Sequence, residues 1–317
     1  MSEVTILGAG AWGTALAIQS ARAGNDVTLW ARNGADALLA SRESPRLPGH
    51  RLPDTVRVTG DVPPNRGFVI AAVPTQALRQ VSGLIPPGCE IVICAKGIET
   101  GTLRLPLEIV AEVQPNSTAA VLTGPNFAHE IASGQPAAAV VASLDAALRE
   151  AVTARLATPS FRLYGGDDPV GAQLGGAAKN VIAIAAGAVT GAGLGENARA
   201  ALITRGLAEL ARLTVALGGR AETVMGLSGL GDLLLTCTGP GSRNFSLGHA
   251  LGRGQSLAEI LASRQAVTEG VATAPALLAR AQGVDMPICA TVAALLGGGT
   301  TLREAIDALL ARPLRDE

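Results

Sequence analysis

The chain is short of aromatic side chains, cysteine, histidine and unbalanced charge, and each shortage removes something. Aromatics make up 2% of 317 residues, so the core has to be built from Ala, Leu, Val and Ile. Lys and Arg number 25 against 26 Asp and Glu, a net charge of −1, which argues against a nucleic-acid groove or a polybasic membrane surface. Four cysteines stand apart at Cys89, Cys94, Cys237 and Cys289 with no CxxC, and His50, His129 and His249 form no spaced ligand set. Free buried thiols in a reducing compartment are expected, and a metal site is not. The longest apolar stretch, Val181 to Leu194, is rich in Ala and Gly and reads as too short and too weakly hydrophobic for membrane insertion. The chain opens on a strand rather than a signal peptide, so a cytoplasmic location is expected. With 48% hydrophobic and 16% charged residues, its length suits two globular domains with real cores.

What is present starts at once. Glu3 to Leu7 reads EVTIL, a short β-branched apolar run, and GAGAWG follows from Gly8 to Gly13. An alanine-rich helical stretch, Thr14 to Ala23, then the turn Gly24-Asn25 and a second strand, Val27 to Trp30, complete the unit. A lone GxGxxG is weak in a chain with 39 glycines, but a strand before it, a helix after it and a second strand at this distance make it a dinucleotide-binding signature. Gly8 suits the tight turn, Gly10 the approach of a pyrophosphate to the backbone, and Gly13 close helix–strand packing. The helix N-terminus offers free N–H groups and its positive dipole end to the phosphates.

Strands and helices alternate through the first half. Predicted strands are Gly67–Val73, Glu90–Ala95, Ala119–Leu122, Ala137–Val141 and an edge strand Phe161–Tyr164; predicted helices are Thr75–Leu84, one starting near Leu103, Phe127–Ala132 and Leu144–Leu156. Continuous apolar strands of this kind predict a doubly wound, mostly parallel sheet, an α/β Rossmann-type domain over residues 1–168. From about Pro169 no strand is expected; helical segments separated by glycine-rich turns predict an all-α substrate or catalytic domain over 169–317.

The second strand ends Leu29-Trp30-Ala31-Arg32-Asn33, with no acid before Asp36. An acid there accepts the 2′-OH of NAD, whereas an arginine accommodates a 2′-phosphate. Arg32 therefore points to NADP(H) as the preferred cofactor, with NAD(H) also usable. Ligands of such sheets bind beyond the strand carboxyl ends, where Lys96 and the loop Gly124-Pro125-Asn126-Phe127 fall. In the helical half, Lys179 and Asn180 stand inside an apolar Ala/Gly helix, where an unpaired lysine is costly, and Asp232 in GLSGLGDLLLTC is its natural partner. The run Gly241-Ser242-Arg243-Asn244 combines backbone N–H groups with a guanidinium fork, an anion site; as a plain helix cap it needs only Ser242. A nicotinamide crevice, two lysines, an aspartate and an anion pocket suggest oxidation of an alcohol on a phosphorylated small molecule. A β-hydroxyacid or 2-ketoacid reductase, its carboxylate held by Arg243, and a non-catalytic NADPH-binding sensor remain open on these residues.

Over its whole length the chain resembles the bacterial NAD(P)-dependent sn-glycerol-3-phosphate dehydrogenases. The resemblance rests on GAGAWGTALA (Gly8 to Ala17), AVPTQALR (Ala72 to Arg79), AKGIE (Ala95 to Glu99), TGPNFA (Thr123 to Ala128), AAKNVIAIAAG (Ala177 to Gly187), GLSGLGDLLLTC (Gly226 to Cys237), GSRN (Gly241 to Asn244) and VTEG (Val267 to Gly270). It implies interconversion of sn-glycerol 3-phosphate and dihydroxyacetone phosphate for glycerophospholipid synthesis. It also implies a homodimer and a C-terminal domain like that of 6-phosphogluconate dehydrogenase. It makes Lys179 the acid/base, with Lys96 and Asp232 in the same catalytic site. Cofactor contacts fall on Gly8, Gly10, Ala11, Trp12, Gly13, Arg32, Lys96, Ala128, Arg243, Val267 and Glu269. Substrate contacts fall on Lys96, Gly124, Asn126, Lys179, Asn180, Asp232, Ser242, Arg243 and Asn244. The chain departs from the family at Ala11 and Asn126, where relatives often carry Ser; a backbone contact at Ala11 survives the change.

Overall fold

The computed structural model describes residues 2–63, 67–264 and 267–311. The first half forms one eight-stranded sheet: β1 (Glu3–Leu7), β2 (Asp26–Trp30), β3 (Arg57–Thr59), β4 (Phe68–Ala71), β5 (Glu90–Ile93), β6 (Thr118–Thr123), β7 (Ala137–Ala142) and β8 (Phe161–Gly166). Their order is β3-β2-β1-β4-β5-β6-β7-β8, parallel throughout except for the β6–β7 pair. Six helices connect them: α1 (Ala11–Arg22), α2 (Ala35–Ser41), α3 (Thr75–Ser82), α4 (Pro106–Val113), α5 (Ala128–Ser133) and α6 (Ala146–Leu156).

The apolar strands are continuous because both sheet faces are covered. Ile6, Leu29, Ile70, Val92 and Leu122 share one core cluster with Leu16 of α1, while Leu7, Val69, Ala71, Ile91 and Ile93 share another with Leu78 of α3 and Ile109 of α4. Leu7 pairs with Trp30 and Ala71, Ala71 with Ile93, and Ile93 with Val121. That register brings the carboxyl ends of the central strands level, so the turns after β1, β4 and β5 emerge along one rim.

Three elements differ from the sequence expectation. β3 and α2 lie in the stretch after Arg32 where neither was foreseen. The helix expected near Leu103 begins at Pro106, because Leu103 itself sits at φ 59° and cannot start a right-handed turn.

The second half is helical: α7 (Pro169–Gly191), α8 (Gly195–Ala216), α9 (Ala221–Val224), a π-helical turn (Leu227–Gly231), α10 (Asp232–Cys237), α11 (Arg243–Gly252), α12 (Leu257–Ala262), α13 (Glu269–Arg280), α14 (Pro287–Leu296) and α15 (Leu302–Leu310). The chain separates into two compact units, Met1–Lys96 with Arg104–Gln173, and Gly97–Leu103 with Leu174–Glu317. The short strap Gly97–Leu103 thus belongs to the helical unit. Within it Leu103 N donates to Glu99 O at 3.0 Å, and Arg280 Nη1 of α13 donates to Leu103 O at 3.4 Å.

At 23 residues α7 is long and apolar enough to cross a bilayer, which the shorter sequence stretch was not; its most apolar window, however, is 89% buried inside the protein. Its neighbour is α11, and the two meet backbone to backbone. A Cβ on Gly187 or Gly191 would lie 2.0 Å from Phe245 O or 2.2 Å from His249 O. On α11 a Cβ on Gly248 or Gly252 would lie 1.9 Å from Ile184 O or 2.4 Å from Ala188 O. Four glycines, two on each helix, form this clasp.

Glu209 of α8 is 1% exposed and caps α14 from outside, accepting from Ile288 N at 2.6 Å and Cys289 N at 3.1 Å. Burial pushes its carboxyl above the ordinary value, against the pull of those two donors. The folded protein therefore holds this proton more tightly than the unfolded chain. The resulting stability is full below the ordinary carboxyl range and is lost as pH rises through the folded value. Glu209→Ala is expected to cost about 3 kcal/mol in urea titration, since two buried N–H groups lose their acceptor. Glu209→Gln should remove this part of the pH dependence; stability curves of wild type and Glu209→Gln that run parallel from pH 4 to 7 would contradict it.

Candidate active site

The GAGAWG turn is held by its own backbone. Gly8 has φ 109°, a conformation L side chains rarely adopt, and a Cβ there would stand 2.7 Å from Ala72 O. A Cβ on Gly13 would meet Gly8 O at 1.8 Å, so the first turn of α1 rests on the end of β1. A Cβ on Gly10 would meet nothing within 4 Å, and no side chain caps α1 there. This fits a dinucleotide: tight backbone on two sides, and open space over a helix N-terminus with N–H groups to offer. Ala11 and Trp12 of α1 and Ala128 of α5 pack together against the same core cluster. Arg22 ties α1 to the end of α5, donating to Ile131 O at 3.0 Å and Ala132 O at 2.7 Å. Arg32 is exposed just beyond β2, whose end is fixed by Trp30 Nε1 donating to Gly60 O at 2.9 Å.

Two residues beyond β5 and its neighbour Cys94, Lys96 Nζ donates to Gly124 O at 3.2 Å. Burial pushes the Cys94 thiol up to about 12, partly offset by a hydrogen bond with the Trp12 side chain and the Lys96 charge. Asn126 Nδ2 donates to Ala138 O at 3.2 Å, while its Oδ1 is buried with no hydrogen-bond partner among the described residues. The amide is thereby oriented with an acceptor to spare. Lys96, Gly124 and Asn126 thus come together in the first unit.

In the helical unit Lys179 is 7% exposed on α7 and Asp232 is 1% exposed at the start of α10. Lys179 Nζ donates to Asp232 Oδ1 at 2.5 Å and to Thr236 Oγ1 at 3.0 Å. Thr236 in turn donates to Asp232 O at 2.5 Å. Thr236 escaped the sequence reading; the available signal was its place four residues after Asp232 on a helix, which puts it on the same face. Burial pushes the neighbouring Cys237 thiol up to about 12 despite the Lys179 charge, so this sulfur is no nucleophile at neutral pH.

Asn180 and Asn244 bond to each other rather than waiting open: Asn244 Nδ2 donates to Asn180 Oδ1 at 2.8 Å, and Asn244 Oδ1 accepts from Gly270 N at 3.0 Å. This chain joins α7, α11 and the start of α13 beside Lys179. Ser242 caps α11, accepting from Phe245 N at 3.2 Å. Arg243 is exposed at that helix start, and Arg264 donates to its carbonyl at 2.8 Å. Burial and the Arg243 charge lower the pKa of Arg264, which marks two guanidinium groups sharing one neighbourhood. Val267 is 56% exposed and Glu269 half-buried at the start of α13.

Comparison with known proteins shows the family to which this fold belongs. Residues 3–149 match the family described as NAD-dependent glycerol-3-phosphate dehydrogenase N-terminus, and residues 168–307 match its C-terminus. Glycerol-3-phosphate dehydrogenase [NAD(P)+] of Acidiphilium cryptum is 57% identical, covering 99% of this chain and 98% of its own length. That of Gluconobacter oxydans is 54% identical, covering 98% and 97%. The crystal structure of glycerol-3-phosphate dehydrogenase from Coxiella burnetii superposes with a TM-score of 0.93 at 37% identity, covering 98% of this chain and 99% of that one. An intact glycine turn and a buried lysine–aspartate pair accompany likeness along the full length: the chain belongs to the NAD-dependent glycerol-3-phosphate dehydrogenase family, whose NAD(P)-linked activity on a small-molecule substrate it carries.

Proposed function

We propose that the chain reduces dihydroxyacetone phosphate to sn-glycerol 3-phosphate with NADPH preferred over NADH, supplying glycerophospholipid synthesis, and that Lys179 is its proton donor. The observation that carries this reading is how the chain uses lysine. Of its 25 basic residues only Lys96 and Lys179 are lysines. A guanidinium does not give up its proton at physiological pH, whereas an amine can. A chain that meets every other need for positive charge with arginine keeps an amine at two places, and one of them is buried against a carboxylate at 2.5 Å.

The bound cofactor would supply the hydride. The protein's own part is to hold the substrate and move a proton. Arg243, Ser242 and the N-terminus of α11 take the phosphate in this reading. Lys96, anchored on Gly124 O, orients the carbonyl, and Asn126, with its spare acceptor, takes a substrate hydroxyl. Lys179 passes a proton to the carbonyl oxygen as negative charge develops there, and the Asp232–Thr236 pair fixes its ammonium in line. Asn180 and Asn244, bonded to each other, support the site by joining the two helices that carry Lys179 and Arg243.

The test is a substrate-by-cofactor matrix read as NADPH or NADH oxidation. Dihydroxyacetone phosphate is expected to turn over while ketopantoate and other 2-ketoacids do not. Turnover of a ketoacid with none of dihydroxyacetone phosphate would overturn the assignment. Arg32→Ala is expected to raise the KM for NADPH about tenfold, the loss of one charge-assisted hydrogen bond, with the KM for NADH unchanged. An equal effect on both would remove Arg32 as a reader of the 2′-phosphate.

A further inference from the structure

We propose that Gly175 is a positioning residue for the Lys179–Asp232 pair: its missing side chain lets the π-helical turn Leu227–Gly231 seat against α7, and that seat sets where Asp232 stands. The inference rests on the reading of Lys179 as proton donor and adds to it the element that aims its partner.

Gly175 and Lys179 are four residues apart on α7, one above the other on the same face. Ser228 and Asp232 are four residues apart along the facing segment. The two pairs are rungs of one ladder. The upper rung is the 2.5 Å contact between Lys179 Nζ and Asp232 Oδ1. The lower rung is closer than any side chain permits: a Cβ on Gly175 would lie 2.3 Å from Ser228 O, 2.9 Å from Ser228 C and 3.3 Å from Gly229 Cα. All three atoms are backbone, so no side-chain rotation relieves the overlap, and Ser228 is 1% exposed with no free space to retreat into.

The turn is also pinned from behind. Gly231 N donates to Gly226 O at 3.1 Å, the five-residue spacing of a π-helix, and a Cβ on Gly229 would fall 2.0 Å from Val224 O. Seated on α7 in front and on α9 behind, the turn moves as a body if it moves at all. Asp232 follows it directly in the chain and moves with it. Single π-turns inside helical segments occur often at functional sites, and here the turn ends directly at Asp232, level with Lys179.

The experiment compares Gly175→Ala with Gly191→Ala in the full chain. Both place a methyl against backbone from the same helix, but the second lies at the far end of α7, at 2.2 Å from His249 O. Gly175→Ala is expected to lower kcat for dihydroxyacetone phosphate about 100-fold, the effect of misplacing a catalytic group by roughly 1 Å, with the KM for NADPH within about twofold of wild type. Gly191→Ala, although less stable, should keep kcat within about threefold. In an Asp232→Asn background, Gly175→Ala should cost less than about threefold more, because the group it aims is already gone. Wild-type kcat in Gly175→Ala, or fully additive losses in the double variant, would overturn the proposal. If Gly175→Ala does not fold, Gly226→Ala, at the residue that leads into the turn, places a Cβ 3.3 Å from Thr223 O of α9, displaces the turn more gently and should lower kcat several-fold at constant KM; an unchanged kcat there counts equally against it. Full turnover in Lys179→Arg would instead sink the underlying reading of Lys179, and that outcome is separate from any result at position 175.

Discussion

Lys179→Arg is expected to fold and to lose turnover by about 10³-fold, within the range that a positioned general acid contributes. The guanidinium keeps a positive charge opposite Asp232 but cannot release a proton at working pH. Lys179→Met should lose as much turnover and stability besides. It leaves the carboxylate of Asp232, 1% exposed, without the ammonium that meets it at 2.5 Å. Breaking a buried pair from one side costs about 3–5 kcal/mol. Lys179→Met with Asp232→Asn should recover most of that stability and none of the turnover. The three variants together divide the ion pair's work between structure and chemistry, read by urea titration and by steady-state kinetics. Turnover within tenfold of wild type in a folded Lys179→Arg would remove the lysine from the chemistry.

Among glycine substitutions in the helical unit, Gly248→Ala is the one expected to destabilise it most. Its Cβ would stand 1.9 Å from Ile184 O and 2.7 Å from Ile184 C. Overpacking a core usually costs about 1–3 kcal/mol through shifted side chains. Here the obstacle is the main chain of α7, so the upper end, about 3 kcal/mol, is expected. Gly239→Ala is the control, because a Cβ there meets nothing within 4 Å. A urea midpoint that falls for Gly248→Ala and stays for Gly239→Ala, with equal slopes, is the predicted result. Equal midpoints would mean that the two helices separate without penalty.

The sheet was legible because its strands are buried on both faces and so read as unbroken apolar runs; Ile91, Val92 and Ile93 in succession show the pattern. β3 was not, because Arg57–Thr59 is a three-residue edge strand with one neighbour, and only half-buried Val58 packs against the core. Lys179 and Asp232 were legible as a lone cation and a lone anion in apolar surroundings. Asn180 and Asn244 were legible as polar residues of a site, but sequence does not reveal that 64 residues of separation close to a 2.8 Å bond between them. The π-turn was invisible for a related reason. Its hydrogen bonds shift by one residue relative to an α-helix without any change in composition, and Leu227–Gly231 carries the same small and apolar residues either way. The strap Gly97–Leu103 accepts a hydrogen bond from Arg280, 177 residues further on, a contact no local pattern announces.

That strap limits how the protein can be taken apart. Gly97–Leu103 belongs to the helical unit yet precedes it by a stretch of sheet, so no single cut yields that unit whole. A fragment starting at Leu174 would lack Ile98, fully buried in the intact chain, and would leave the Arg280 guanidinium without the Leu103 carbonyl it now reaches. Recombining halves from two relatives at the obvious boundary would graft one parent's strap onto the other's helices. Chimaeras of this family should therefore be designed with residues 97–103 travelling with the C-terminal half, as a transplanted insert rather than as part of the sheet that surrounds them in sequence.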